Sequence, residues 1–116
     1  MNDLIFRVEK EEGVTVLTLM LDSVTMDENE ELKKVFTDLL DKGTKDIILD
    51  LSETSFMSSI VLASLVFMLK RIKEAAGNLV LSGVKDKVEE VLNITNLNKV
   101  FTIYQNRQEA INKLKK

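Results

Sequence analysis

The sequence predicts an α/β fold, a mixed and mostly parallel β-sheet of about five strands with four helices packed on it. Three observations predict it. Apolar runs of strand length alternate with stretches of helical periodicity; Ile47-Ile48-Leu49 is apolar without a break; and Pro is absent while Gly numbers only four. Repeated strand–helix–strand steps imply parallel pairing through right-handed crossovers. An unbroken apolar strand suits the centre of a sheet covered on both faces. Few breakers suit tight, regular connections.

Each element has its own signal, and the order they predict is ββαβαβαβα. Leu4, Phe6 and Val8 alternate with polar neighbours, Glu11-Glu12-Gly13 turns, and Val14 to Leu21 resumes as a second strand. That pair reads as a hairpin. Thr25 and Glu28 have capping-box spacing. Leu32, Val35, Phe36, Leu39 and Leu40 then recur at helical spacing, and Gly43 ends the helix. Asp46 to Leu51 is the third strand. A second helix runs from about Ser58 to Ala76, with Gly77 at its C-terminal cap and Leu62, Leu65, Val66 and Leu69 as its core stripe. Leu79-Val80-Leu81 is a strand and Ser82-Gly83 a turn. A short helix follows, turning Val88, Val91 and Leu92 inward. Val100 to Tyr104 is the last strand, and Asn106 with Glu109 caps a final helix burying Ala110, Ile111 and Leu114.

Composition excludes several function classes. A chain of 116 residues is read as one domain, residues 1–116, without repeats or linkers. A net charge of −3 and scattered lysines argue against nucleic acid, which is bound by surplus cations. There is no Cys, hence no disulfide or thiol chemistry, and no His, the commonest general base and transition-metal ligand. No metal and no cofactor is expected, and the chain is read as not an enzyme. The start Met1-Asn2-Asp3-Leu4 lacks a basic region leading into an apolar one, and Ile60 to Leu69 is too short to span a bilayer. The expected setting is cytoplasmic, with no direct membrane insertion.

Two hydroxyl-bearing sites remain. Ser58 and Ser59 stand where the second helix begins, and their commoner role is to cap it. The alternative is phosphorylation, which would add about −1.5 to −2 charges at pH 7 where the helix dipole tolerates them. Thr25 is likewise a cap by its spacing with Glu28, in a loop expected near the serine pair. Ile60, Val61, Phe67 and Met68 make the second helix apolar nearly all round, through burial or as a partner surface. Asp22, Asp50 and Glu53 read as solvated loop charges, since no metal-binding loop motif accompanies them.

Taken together, these residues resemble the STAS domain of bacterial anti-sigma-factor antagonists. The match covers most of the chain and is densest from Ile47 to Ala110. Ile47-Ile48-Leu49-Asp50-Leu51-Ser52 resembles the family's central strand. Phe56-Met57-Ser58-Ser59 falls where the family carries Phe, an aliphatic residue, Asp and the phosphorylated Ser. Leu62, Leu65, Lys70-Arg71 and Gly77 match the following helix. Leu79-Val80-Leu81-Ser82-Gly83, Val91-Leu92 through Leu97 to Val100-Phe101, and Glu109-Ala110 complete the pattern. The resemblance implies binding to an anti-sigma factor that is also a serine kinase, release of sigma factor, and reversal by phosphorylation of Ser59, with Ser58 as the adjacent alternative. Thr25, Ser58, Ser59, Ile60, Val61 and Leu62 would then line the binding face.

The chain departs from the family in the Asp expected before the phosphoacceptor, which is Ser58. The usual Ser or Thr and then Gly are Ile60 and Val61, and a common loop Asp aligns with Thr25. Losing two carboxylates removes charges that could orient or deprotonate the serine. A second reading is an accessory subunit of a membrane transport complex, since STAS domains also serve transporters, docking constitutively through its apolar helix. A third, a small phosphoryl-carrier enzyme, is disfavoured by the missing Cys and His. Monomer and weak homodimer both remain open.

Overall fold

A five-stranded sheet in the order β1-β2-β4-β6-β7 forms the middle of the molecule in the computed structural model, which describes residues 5–115. Its strands are β1 (Phe6–Glu11), β2 (Val14–Leu19), β4 (Asp46–Asp50), β6 (Asn78–Ser82) and β7 (Ile103–Tyr104). β1 and β2 form the antiparallel hairpin, pairing Phe6 with Leu19 and Glu11 with Val14. β2, β4, β6 and β7 are parallel. Two further strands, β3 (Ser23–Val24) and β5 (Phe56–Met57), make a separate parallel ladder. Leu4, the expected first strand residue, lies outside the described residues.

Four helices complete the fold: α1 (Met26–Asp41), α2 (Ser59–Glu74), α3 (Asp86–Ile94) and α4 (Arg107–Leu114). The parallel strands step across the sheet in one direction, so α1, α2 and α3 cover one face. Leu32, Leu65 and Leu92 from these helices share a core with Leu17, Ile47, Leu49 and Leu81. The other face buries Val16, Ile48 and Val80 under Ala110 and Ile111 of α4. β4 is therefore buried along its whole length, which is why its sequence shows no polar alternation.

Several expectations need correction. Val66 is exposed; the buried arc of α2 is Val61, Leu62, Leu65, Met68, Leu69 and Ile72, and Val66 falls beyond its edge. The last strand begins at Ile103, because Leu97–Lys99 forms a 3-10 turn and Phe101 turns into the core. Asp50 is no solvated charge but is buried beside Arg107.

The end of α2 is also built differently from its sequence signal. Ala76 takes the left-handed conformation, φ 63°, that Gly77 was expected to supply. Gly77 serves close packing instead: a Cβ there would collide with the Lys45 carbonyl oxygen and lie 2.8 Å from Ile72 Cγ1. Gly43 does end α1 as expected, with φ 87° and its N–H donated to the Leu40 carbonyl at 2.9 Å. Among the described residues no helix is long and apolar enough to cross a membrane.

The two residues at the end of α2 should respond oppositely. Gly77→Ala is expected to cost about 3 kcal/mol through overpacking against backbone. Ala76→Gly should raise stability by roughly 0.5–1 kcal/mol by relieving the left-handed strain. Urea denaturation of both variants measures this; equal effects would refute the assignment.

Candidate functional site

Thr25 and Ser58 stand side by side because the strands before them are paired. In the short ladder Ser23 faces Phe56 and Val24 faces Met57, so the chains leaving it enter α1 and α2 in register. The Ser58 N–H donates to the Val24 carbonyl at 3.1 Å. Ser55 and Phe56 both donate to the Asp22 carbonyl, at 2.7 and 3.0 Å. The buried Thr54 hydroxyl donates to the Leu21 carbonyl at 2.9 Å. The sequence suggests that these loops lie near each other but gives no sign of the ladder, since two-residue strands carry no detectable period.

The helix starts differ in chemistry. At α1 the Glu28 carboxylate accepts from the Thr25 N–H at 2.9 Å and from its hydroxyl at 3.1 Å, so the capping spacing forms as expected. Asp27 and Glu28 add negative charge to that first turn. The first turn of α2 holds no acidic residue, leaving the positive end of its dipole uncompensated. Ser58 is the N-cap residue, yet its side chain makes no cap hydrogen bond and its hydroxyl is buried without a partner. Ser59, the first helical residue, is exposed.

The other candidate residues divide by burial. Ile60 is 42% exposed and continues the surface from Ser59, with Met26 on the neighbouring helix 65% exposed. Val61 and Leu62 are corrected as surface residues: both point into the core, on the buried arc of α2. Leu62 also reaches the floor of an adjoining groove of about 510 Å³, walled by Ser55, Phe56, Met57, Val88 and Val91. A second cleft of about 590 Å³, near Lys10, Lys42 and Lys45, opens at the opposite end of the sheet, by the starts of β2 and β4. Among the described residues no group of Asp and Glu is placed to hold a metal ion.

Behind the site, Asp50 at the end of β4 anchors α4. Arg107 donates to Asp50 Oδ2 through Nε at 3.1 Å and Nη2 at 2.9 Å, to Glu9 at 3.1 Å and to the Thr18 hydroxyl at 2.9 Å. Burial alone would lower the Arg107 pKa, but the hydrogen bonds and charges of Asp50 and Glu9 outweigh it and raise the pKa above the ordinary arginine value. Asp50 Oδ1 accepts from the Ser52 N–H at 2.9 Å, so the same carboxylate shapes the start of the loop toward Ser58.

Comparison with known proteins agrees with this architecture. A model of the STAS domain family matches residues 2–110. A Thermotoga maritima protein, provisionally described as an anti-sigma factor antagonist, is 35% identical over 103 residues, covering 87% of this chain and 91% of its own. A crystal structure of a T. maritima protein so described aligns with a TM-score of 0.83 at 32% identity, covering 94% of this chain and 93% of that one. The structure of an anti-sigma-factor antagonist (STAS) domain protein from Planctomyces limnophilus gives 0.83 at 29% identity, covering 91% and 94%. The Bacillus cell fate determinant SpoIIAA in its phosphorylated form shares the fold, with a TM-score of 0.75 at 18% identity, covering 95% and 99%.

Two substitutions test this geometry by chemical denaturation. Ser58→Ala is expected to leave stability unchanged or raise it by up to about 1 kcal/mol, because an unpaired buried hydroxyl is removed. A working cap would instead cost about 1 kcal/mol. Arg107→Ala should cost about 3 kcal/mol by leaving Asp50 buried without its cation.

Proposed function

The chain belongs to the STAS-domain family, and on that premise we propose that it is an anti-sigma factor antagonist switched by phosphorylation of Ser59. It works by binding rather than by catalysis, in the cytoplasm. An anti-sigma factor with serine kinase activity docks over Thr25, Ser59 and Ile60, is held there and releases sigma factor. Phosphate transfer to Ser59 ends the complex.

The single observation that carries this reading is the exposure of Ser59 at a helix start with no acidic neighbour in its first turn. A phosphate there adds about −1.5 to −2 charges at the positive end of the α2 dipole, which the host domain tolerates. A partner packed against Ile60 and Met26 does not tolerate it, since a doubly charged group would be desolvated in an apolar contact. Burial of the Ser58 hydroxyl favours Ser59 over its neighbour as the acceptor. The relatives' descriptions support the antagonist role, and SpoIIAA is described in a phosphorylated form.

Ser58 stands where the family usually has Asp, so no carboxylate adjoins Ser59 in sequence, and the kinase supplies the base for phosphoryl transfer. Ile60 in place of the usual Ser or Thr makes the contact more apolar.

The test is incubation with the host's anti-sigma kinase and ATP, followed by phosphosite mapping and binding measurements. One phosphate is expected, on Ser59; Ser59→Ala abolishes it and Ser58→Ala retains it. Ile60→Asp should weaken docking by at least about tenfold without unfolding the chain. Phosphate on another residue, or tight binding with no transfer, contradicts the switch. Constitutive co-purification with a transport ATPase would favour a transporter accessory role instead.

A further inference from the structure

The first turn of α1 meets the body of the protein through a buried amide, where the rest of the helix uses hydrocarbon. Leu32, Val35, Phe36 and Leu39 carry α1 into the main core. Asn29 stands on the same stripe, three residues before Leu32, where an amphipathic helix ordinarily places an apolar residue. It is 3% exposed, and its Oδ1 has no hydrogen-bond partner. Met26, the one apolar residue of that turn, is 65% exposed.

The forces on this turn are close to balance. A buried acceptor without a donor keeps its desolvation penalty, and opening the turn to water removes it. Against opening stand the Thr25–Glu28 capping box and the acidic Asp27 and Glu28 at the positive end of the dipole. Behind the turn, the ladder and the bond from the Ser58 N–H to the Val24 carbonyl fix where the chain enters it. All these holds act at the helix start. Beyond Leu32 the helix is held by apolar burial, so the first turn can open while the rest stays docked.

We infer that the first turn of α1 is a conformational gate poised by Asn29, and that the partner on the Ser59 face holds its opened form. This rests on the docking reading of that face, to which Thr25 belongs. The opened form is the minor one, and it presents the Asn29 amide for pairing that the closed form denies it. A partner selecting a minor form binds with an apparent affinity reduced by the fraction open. Asn29 therefore sets binding strength from a position that is buried in the free chain.

Hydrogen exchange of the full chain by NMR, paired with binding to the anti-sigma partner, tests the inference. Amides of residues 29–33 bond the carbonyls of residues 25–29 and report the opening. They are expected to exchange at least about tenfold faster than those of residues 36–40. Asn29→Leu keeps the branched shape without the polar atoms. It should slow residues 29–33 by at least about tenfold beyond any change at residues 36–40, and weaken binding by at least about fivefold. Asn29→Ala, which cannot overpack, should shift both readings the same way. Slowing shared equally along α1, or binding that is unchanged or tighter in the variants, would overturn the inference. The exchange result needs no partner, whereas failure of the docking reading would leave the parent chain itself unbound.

Discussion

Four residues, Ser23 and Val24 beside Phe56 and Met57, hold the functional end of the molecule together. Without their ladder the loops leaving β2 and β4 would be separate excursions, and the starts of α1 and α2 would have no fixed relation. The Asp22 carbonyl accepts two N–H groups from the other loop and the Val24 carbonyl a third. Each such bond adds only about 1 kcal/mol net, but together they fix a geometry on which the surface depends. The result is one contiguous face from Met26 through Ser59 to Phe67.

The second constraint lies behind that face. Asp50 ends the buried central strand and would be costly there alone. Arg107 reaches it from α4 with two hydrogen bonds, and spends its remaining donors on Glu9 and Thr18 from the hairpin. A guanidinium suits this position because its fork can serve three acceptors at once. The other oxygen of Asp50 accepts from Ser52, so the anchoring of α4 and the path toward Ser58 share one carboxylate. The anchoring of α4 and the position of the α2 start are thereby mechanically connected.

Much of the architecture was legible because burial leaves periodic traces. The unbroken run at Ile47 to Leu49, the hairpin turn at Gly13 and the capping spacing of Thr25 with Glu28 all describe what the chain does. What escaped notice is what has no period. A two-residue strand looks like a loop, and Ala76 looks unfit for a left-handed cap that Gly77 seemed made for. α2 misled in a different way, since a helix apolar nearly all round hides which arc faces inward. By its spacing Val66 reads as core and lies outside it, while Val61 and Leu62, expected on the binding face, lie in the core. The serine pair was visible in sequence, but which hydroxyl reaches solvent depends on the last turn of backbone before the helix, and only the three-dimensional arrangement separates Ser58 from Ser59.

Hydrogen exchange of the free chain and of its complex with the anti-sigma partner tests the central claim most directly. The account predicts protection concentrated in residues 23–27 and 56–67, with α4 and the cleft near Lys10 and Lys45 unchanged. Protection confined to α4 or to that far cleft, with the Ser59 region exchanging as in the free protein, would contradict it.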